Sequence, residues 1–207
     1  MNLLITAATA LEIAPFLQMI NSKPSSVDIL ITGVGMVPTT FTLTKKLTEK
    51  KYDAILNVGI AGSFSRDIMP GSLVRVQKDS FSELGAQNDS TFLSIDELGF
   101  GTSIYYEKAK PFLKYPLVTN LKTVEGITVN KVHGNETSIN KVINRLNPEI
   151  ESMEGAATFY VAQQLNIHSL QVRCISNFVE KRDRSNWQID LAVQNLNNWL
   201  AKFISEL

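Results

Sequence analysis

Apolar runs that end in glycine-rich turns dominate this chain and leave it few folds to adopt. Leu3 to Ala8 is apolar apart from Thr6, and Ile29-Leu30-Ile31-Thr32 ends in Gly33-Val34-Gly35. Ala54-Ile55-Leu56-Asn57-Val58 ends in Gly59-Ile60-Ala61-Gly62. Gly126 to Val129 and Leu170 to Ile175 read as further strands, and Ser72 to Val76 alternates as a half-exposed strand does. Near-continuous apolar strands are those buried on both faces, as in a parallel sheet covered by helices.

Helical signals fall between these runs. Pro38 sits in the first turn of a helix expected over 37–51, where its missing N–H costs nothing. Residues 136–146 and 154–165 read as helices. Ile189, Val193, Leu196, Leu200 and Phe203, spaced by four and three, form the apolar stripe of a last helix. The expectation is an α/β fold: a single-domain, three-layer αβα architecture over residues 1–207 with a largely parallel or mixed central sheet. Residues 78–122 lack a sustained period and read as a long excursion with a weak hairpin around Gly99-Phe100-Gly101.

Composition excludes several classes of function. Lys plus Arg and Asp plus Glu both number 20, so the formal charge is zero. Without a basic block, a nucleic-acid backbone is not an expected partner. The single Cys174 offers no internal disulfide, and with only His133 and His168 beside it no metal or other cofactor is expected. The amino-terminal stretch has no positive lead, and no apolar run approaches the roughly 18–20 residues of a membrane span. A cytoplasmic protein without a membrane partner is expected.

In open α/β sheets ligands bind beyond the carboxyl ends of the strands, which directs attention to the residues at the end of each apolar run. Gly33-Val34-Gly35 opens like a dinucleotide fingerprint, but Pro38 replaces the third glycine and no acidic residue ends the next strand. A tight strand-to-helix turn is the simpler reading, and a dinucleotide-dependent oxidoreductase is a distant one. Glu12 completes Thr9-Ala10-Leu11-Glu12, a capping-box pattern in which its carboxylate serves the helix start. Glu154 has an equally plain reading as a first-turn carboxylate offsetting a helix dipole. Asn177 alone reads as a loop residue, and Arg182-Asp183-Arg184 as a solvated run with internal ion pairs.

Taken together, Glu12, the Gly-Ile-Ala-Gly of 59–62, Met153-Glu154-Gly155-Ala156-Ala157 and Val172-Arg173-Cys174-Ile175-Ser176-Asn177 occur in an order that resembles the purine nucleoside phosphorylase and methylthioadenosine nucleosidase superfamily. The resemblance covers essentially the whole chain. Ser176-Asn177-Phe178-Val179-Glu180, with Arg182, Arg184 and Trp187 beyond it, is most similar to the futalosine hydrolase family of menaquinone biosynthesis. The resemblance implies a small-molecule nucleoside substrate, no cofactor and a homo-oligomer, dimer or higher. It implies that Glu12 activates a water, that Glu154 holds the ribose hydroxyls and that Met153 packs on the sugar. Ala61, Gly62 and Val132 are expected to meet the base or offer backbone contacts, although the aromatic that nucleosidases carry near 130–134 is replaced by Lys131, Val132 and His133. Arg182 or Arg184 is expected at a carboxylate carried beyond the 5′ carbon, and Gly99 to Gly101 with Tyr105 and Tyr106 along the same wall.

Two features of the sequence discriminate within that superfamily. Phosphorylases carry an Arg-containing phosphate loop where this chain has Thr6-Ala7-Ala8-Thr9-Ala10-Leu11-Glu12, and a carboxylate there favours water over phosphate. Adenine-releasing nucleosidases carry an Asp at the position of Asn177. An amide donates hydrogen bonds but delivers no proton. A 6-oxopurine, which spreads charge onto O6, leaves without that proton more readily than adenine does, so hypoxanthine release is the expectation. The alternatives are methylthioadenosine or adenosylhomocysteine hydrolysis, and a nucleoside-binding module without catalysis.

Overall fold

In a computed structural model, which describes residues 1–19 and 24–207, strands and helices alternate along most of the chain. The first half contains β1 (Leu3–Ala7), α1 (Ala10–Met19), β2 (Val27–Ile31), α2 (Met36–Glu49), β3 (Ala54–Ser63), β4 (Leu73–Phe81), β5 (Gly85–Asn88) and β6 (Thr91–Ser94). The second contains β7 (Ile104–Tyr106), α3 (Pro116–Thr119), β8 (Lys122–Thr128), α4 (Glu136–Leu146), β9 (Ile150–Ser152), α5 (Gly155–Gln164), β10 (His168–Phe178) and α6 (Ile189–Ser205). Among the described residues no helix is long and apolar enough to cross a membrane.

The sheet is mixed. Strands β2, β1, β3 and β10 run parallel to one another, whereas β4 lies antiparallel to β10 and β9 antiparallel to β3. Hydrogen bonding passes from β3 to β10, β4, β8, β9 and back to β3, so this part of the sheet closes on itself. Side-chain parity makes the layers. Leu3, Ile5 and Ala7 join Ile13 and Phe16 of α1 and Leu196, Leu200 and Phe203 of α6 in one buried cluster. Leu4 and Ile55 turn the other way, onto Leu43 of α2 and Val161 of α5. These strands are therefore buried on both faces, as their unbroken apolar runs predict.

Two expectations need correction. The glycines of 59–62 are not a turn beyond a strand, because β3 continues through Ser63, with Gly59 paired to Arg173 and Gly62 to Asn177. The hairpin of the 78–122 segment is formed by β5 and β6 around Asp89, not around Gly99–Gly101. β5 is Gly-Ala-Gln-Asn, exposed throughout, and β6 is Thr-Phe-Leu-Ser; neither alternates apolar with polar residues, which hides the hairpin from a periodicity reading.

Candidate active site

Beyond the carboxyl ends of β1, β3 and β10 lies a cavity of about 440 Å³. Glu12, Ala61, Gly62, Val132, Met153, Glu154, Asn177 and Arg182, all expected at the site from the sequence, line it. Arg184 does not. Its guanidinium lies 5.9 Å from the ring of Trp187, outside the cavity lining. The expected wall of Gly99 to Gly101, Tyr105 and Tyr106 is also absent from this cavity. Phe100 and Tyr106 are exposed, and Tyr105 packs edge-on between Phe81 and Tyr160.

Glu12 meets both of the descriptions open to it. Thr9 donates its backbone N–H and its hydroxyl to Glu12 Oε2, at 2.9 and 3.1 Å, and the Glu12 N–H returns a bond to Thr9 Oγ1 at 3.3 Å. That is a capping box. The other carboxylate oxygen accepts the Ile60 N–H of β3 at 3.2 Å, which pins the side chain across the cavity floor. A methyl group at position 59 would sit 2.9 Å from Glu12 Oε1, so any side chain there would push the carboxylate from this position.

Glu154 precedes α5 and is buried. Its Oε1 accepts the Gly35 N–H at 2.8 Å, and Gly35 has φ of +96°, a left-handed conformation that favours glycine. The Gly33-Val34-Gly35 turn thus serves a carboxylate rather than a dinucleotide. Burial raises the Glu154 carboxyl above the usual carboxylate range, and the nearby charge of Glu12 adds to this, against the pull of Arg173 and the Gly35 N–H.

Asn177 is placed by a bulge. The register of β10 on β3 slips at Ser176, which brings Asn177 opposite Gly62. Its Oδ1 accepts the Ser176 hydroxyl at 2.7 Å and its Nδ2 donates to the Phe178 carbonyl at 2.8 Å. One amide N–H remains for a ligand, so the side chain is oriented as a donor. Gly59 and Gly62 are three residues apart on β3. At about 3.3 Å per residue, the Glu12 and Asn177 ends are separated by roughly 10 Å.

Arg173 carries more of the electrostatics than its position in an apolar run suggests. It is fully buried, and its Nη2 donates to Asn57 Oδ1, which in turn is held by Thr6. Burial draws the guanidinium below its ordinary pKa, while Glu154, Glu12 and Asp79 oppose that shift. The cation is the counter-charge beneath both cavity carboxylates. Thr6, Asn57, Gln171 and Arg173 share one sheet face, and their period-two polar positions within apolar strands are the signal by which this cluster, missed in the sequence, could have been found. His133 and Glu151 also line the cavity as a hydrogen-bonded pair, and buried Ser152 Oγ has no protein partner. Cys174, one strand position beyond Arg173, is fully buried and its thiol is pushed up to about 12, which leaves it unreactive at neutral pH.

The outer end of the cavity is apolar. Leu11, Trp187, Ile189 and Val193 line it with Arg182, whose guanidinium lies 4.8 Å from the Trp187 ring centroid. The ion pairs expected within 180–184 do not form. Glu180 pairs with Arg66 at 2.6 Å, and Asp183 accepts from the Ser185 N–H and hydroxyl.

The model of the phosphorylase superfamily matches residues 19–205. Futalosine hydrolase of Streptomyces coelicolor is 28% identical over 185 residues, covering 86% of this chain and 79% of that one. Futalosine hydrolase of Thermus thermophilus is 25% identical over 181 residues, with 86% and 80% covered. Among solved structures, futalosine hydrolase of Helicobacter pylori superposes with a TM-score of 0.82 at 16% identity, over 99% of this chain and 97% of that one. The 5′-methylthioadenosine/S-adenosylhomocysteine nucleosidase of the same organism gives 0.83 at 16%, over 99% and 98%. At such identities these structures bear on the fold, which is the one the sequence implied.

Proposed function

The chain belongs to the phosphorylase superfamily, and we propose that within it the protein is a nucleosidase that hydrolyses the N-glycosidic bond of futalosine, releasing hypoxanthine. The observation that carries this reading is the grouping of Glu12, Glu154 and Asn177 about one cavity, with a carboxylate where a phosphorylase needs an anion site. The curated futalosine hydrolases matched along most of this chain support the same substrate.

The mechanism derives from the charges. Cleavage passes through a ribosyl group resembling an oxocarbenium ion. Glu12, held by Thr9 and Ile60 with lone pairs to spare, orients and deprotonates the attacking water. Glu154 accepts the 2′- and 3′-hydroxyls, and its negative charge favours the cation that develops at C1′. Met153 packs on the sugar, and Ala61, Gly62 and Val132 frame the base. Asn177 donates its remaining N–H to N7 or O6 of the departing purine. Arg173, buried outside the cavity lining, acts against the rise in the Glu154 pKa and supplies the counter-charge beneath both carboxylates.

At the outer end, Arg182 meets the carboxylate carried beyond the 5′ carbon, and Trp187, Leu11, Ile189 and Val193 receive the aromatic group that bears it. The chain also assembles as a homo-oligomer. Supporting this, Val37 and Phe41 on α2 are 76% and 69% exposed and border an apolar hollow of about 720 Å³ with Met36 and Leu84.

Futalosine, inosine and methylthioadenosine incubated separately without phosphate test the assignment, with the released base identified by chromatography. Hypoxanthine from futalosine, faster than from inosine, is the expected result. Adenine as the preferred product, or a requirement for phosphate, overturns it.

A further inference from the structure

His133 is clamped by a buried carboxylate in the same cavity. Its Nδ1 lies 2.6 Å from Glu151 Oε2, and its backbone N–H donates to Glu151 Oε1 at 3.0 Å. Glu151 is only 4% exposed and both its oxygens serve this one residue. A carboxylate beside Nδ1 keeps the proton on that nitrogen and leaves Nε2 to serve a ligand. Phe64 supports the ring edge-on, with centroids 6.2 Å apart.

The pair stands at the end of the cavity where Asn177 stands. Glu151 of β9 is paired with Gly62 of β3, and Gly62 is paired on its other side with Asn177. A Cβ on Gly62 would lie 3.4 Å from Asn177 Nδ2 and 3.6 Å from Glu151 Cγ, so the two side chains flank the same bare backbone. A base released there as an anion would meet the charges of Glu151, Glu154 and Glu12, while Asn177 offers it a single neutral N–H. A cationic donor resolves that conflict.

We propose that His133, held by Glu151, is the proton donor to the departing base, an inference that rests on the nucleosidase reading above. As the C1′–N9 bond breaks, its electron pair passes to the purine and the imidazolium gives its Nε2 proton to the base, which leaves neutral. The water oxygen bonds to C1′ as Glu12 takes a water proton. Glu12 then releases a proton to solvent and His133 regains one, so one water is consumed and no charge accumulates. Glu151 from β9 contacts the imidazole, and the charged groups that line the same cavities as His133 are Arg182 from the segment after β10, Glu83 from beyond β4, Lys131 from its own loop, Glu12 and Glu154.

The test compares the wild type with His133→Gln and Glu151→Gln, each first shown to unfold cooperatively near the wild-type temperature. Hydrolysis of futalosine and inosine is followed across pH, together with 4-nitrophenyl β-ribofuranoside, whose leaving group needs no proton. The expected result is a kcat on the two nucleosides lowered roughly 10²-fold or more, loss of the wild-type alkaline limb in His133→Gln, and hydrolysis of the nitrophenyl riboside within about threefold of wild type. If the wild type does not accept that riboside, the alkaline limb decides alone. A kcat and pH profile like those of the wild type, or an equal loss on all three substrates, overturns the role of His133. A wild type that releases no base from either nucleoside overturns the nucleosidase reading itself.

Discussion

A side chain from α6 stands inside the helix that carries Glu12. The buried Asn197 amide donates to the Glu12 carbonyl at 2.8 Å and accepts the Phe16 N–H at 2.8 Å, occupying the space between two groups that an uninterrupted helix would pair. Pro15, which has no N–H, lies between them in sequence. The last helix of the chain thus sets the position of the candidate base in the first.

Replacing that amide by a side chain of the same size leaves two buried backbone groups to re-pair. Asn197→Leu is expected to destabilise the fold by about 1–3 kcal/mol and to lower kcat more than it changes KM. Urea unfolding and steady-state kinetics measure both. Unchanged kcat in a destabilised variant would show that Asn197 serves folding alone.

Glu12→Gln keeps an acceptor for only one of the Thr9 and Ile60 N–H groups, which different carboxylate oxygens hold in the wild type, and cannot take a proton. Turnover is expected to fall by about 10²- to 10⁴-fold, with substrate affinity measured by calorimetry nearly unchanged. Wild-type turnover in this variant would reduce Glu12 to its capping role.

Glu154 acts as an anion, and burial raises its carboxyl pKa. As pH falls through that raised value the carboxylate protonates first among ordinary carboxyls, so kcat/KM declines on the acid side earlier than for an exposed glutamate. A kcat/KM profile recorded from acid to neutral pH reads this limb directly. Glu154→Gln is inactive throughout.

Asp79 gives a separate signature in stability. Fully buried, it is pushed up to about 6 by burial, although Gln171, Thr128 and Arg173 act to lower it. The folded state therefore holds a proton that the unfolded chain has already lost between about pH 4 and pH 6. Stability contributed by this group is complete below that window and falls as pH rises through it. Relative to Asp79→Asn, the wild type is expected to lose denaturation midpoint between about pH 4 and pH 6, and parallel midpoints would contradict the assignment.

Val37 and Phe41 present apolar surface on the side of α2 away from its buried Thr39, Leu43 and Leu47. Phe41→Glu is expected to shift the protein to monomer in analytical ultracentrifugation. An unchanged sedimentation coefficient would place the interface elsewhere.

Strands buried on both faces announce themselves, which is why β1, β3 and β10 were legible from residue order; β2, an edge strand with Ile31 exposed, showed as a short apolar run, and the stripe of α6 by its spacing. The extent of β3 was not, because glycines read as a turn while here they make room for Glu12 and Asn177. Residues 85–94 alternate too weakly to reveal a hairpin. At the site, Glu12, Glu154 and Asn177 were legible through the motifs that resemble the superfamily; Glu12 and Glu154 follow strand ends, whereas Asn177 lies within β10 at its bulge. Arg173 was missed because the polar positions at period two show only a shared face, and its three carboxylate neighbours converge on it from distant segments. Arg182 and Arg184 could not be told apart in sequence, since only the turn at 184–186 decides which of them faces the cavity.

The most direct test is a crystal structure of Glu12→Gln with inosine bound. The account predicts ribose hydroxyls within hydrogen-bond distance of Glu154, C1′ facing residue 12, and the purine N7 or O6 receiving Asn177 Nδ2. A nucleoside bound with its base toward Trp187, or seated in the hollow beside α2, would contradict it.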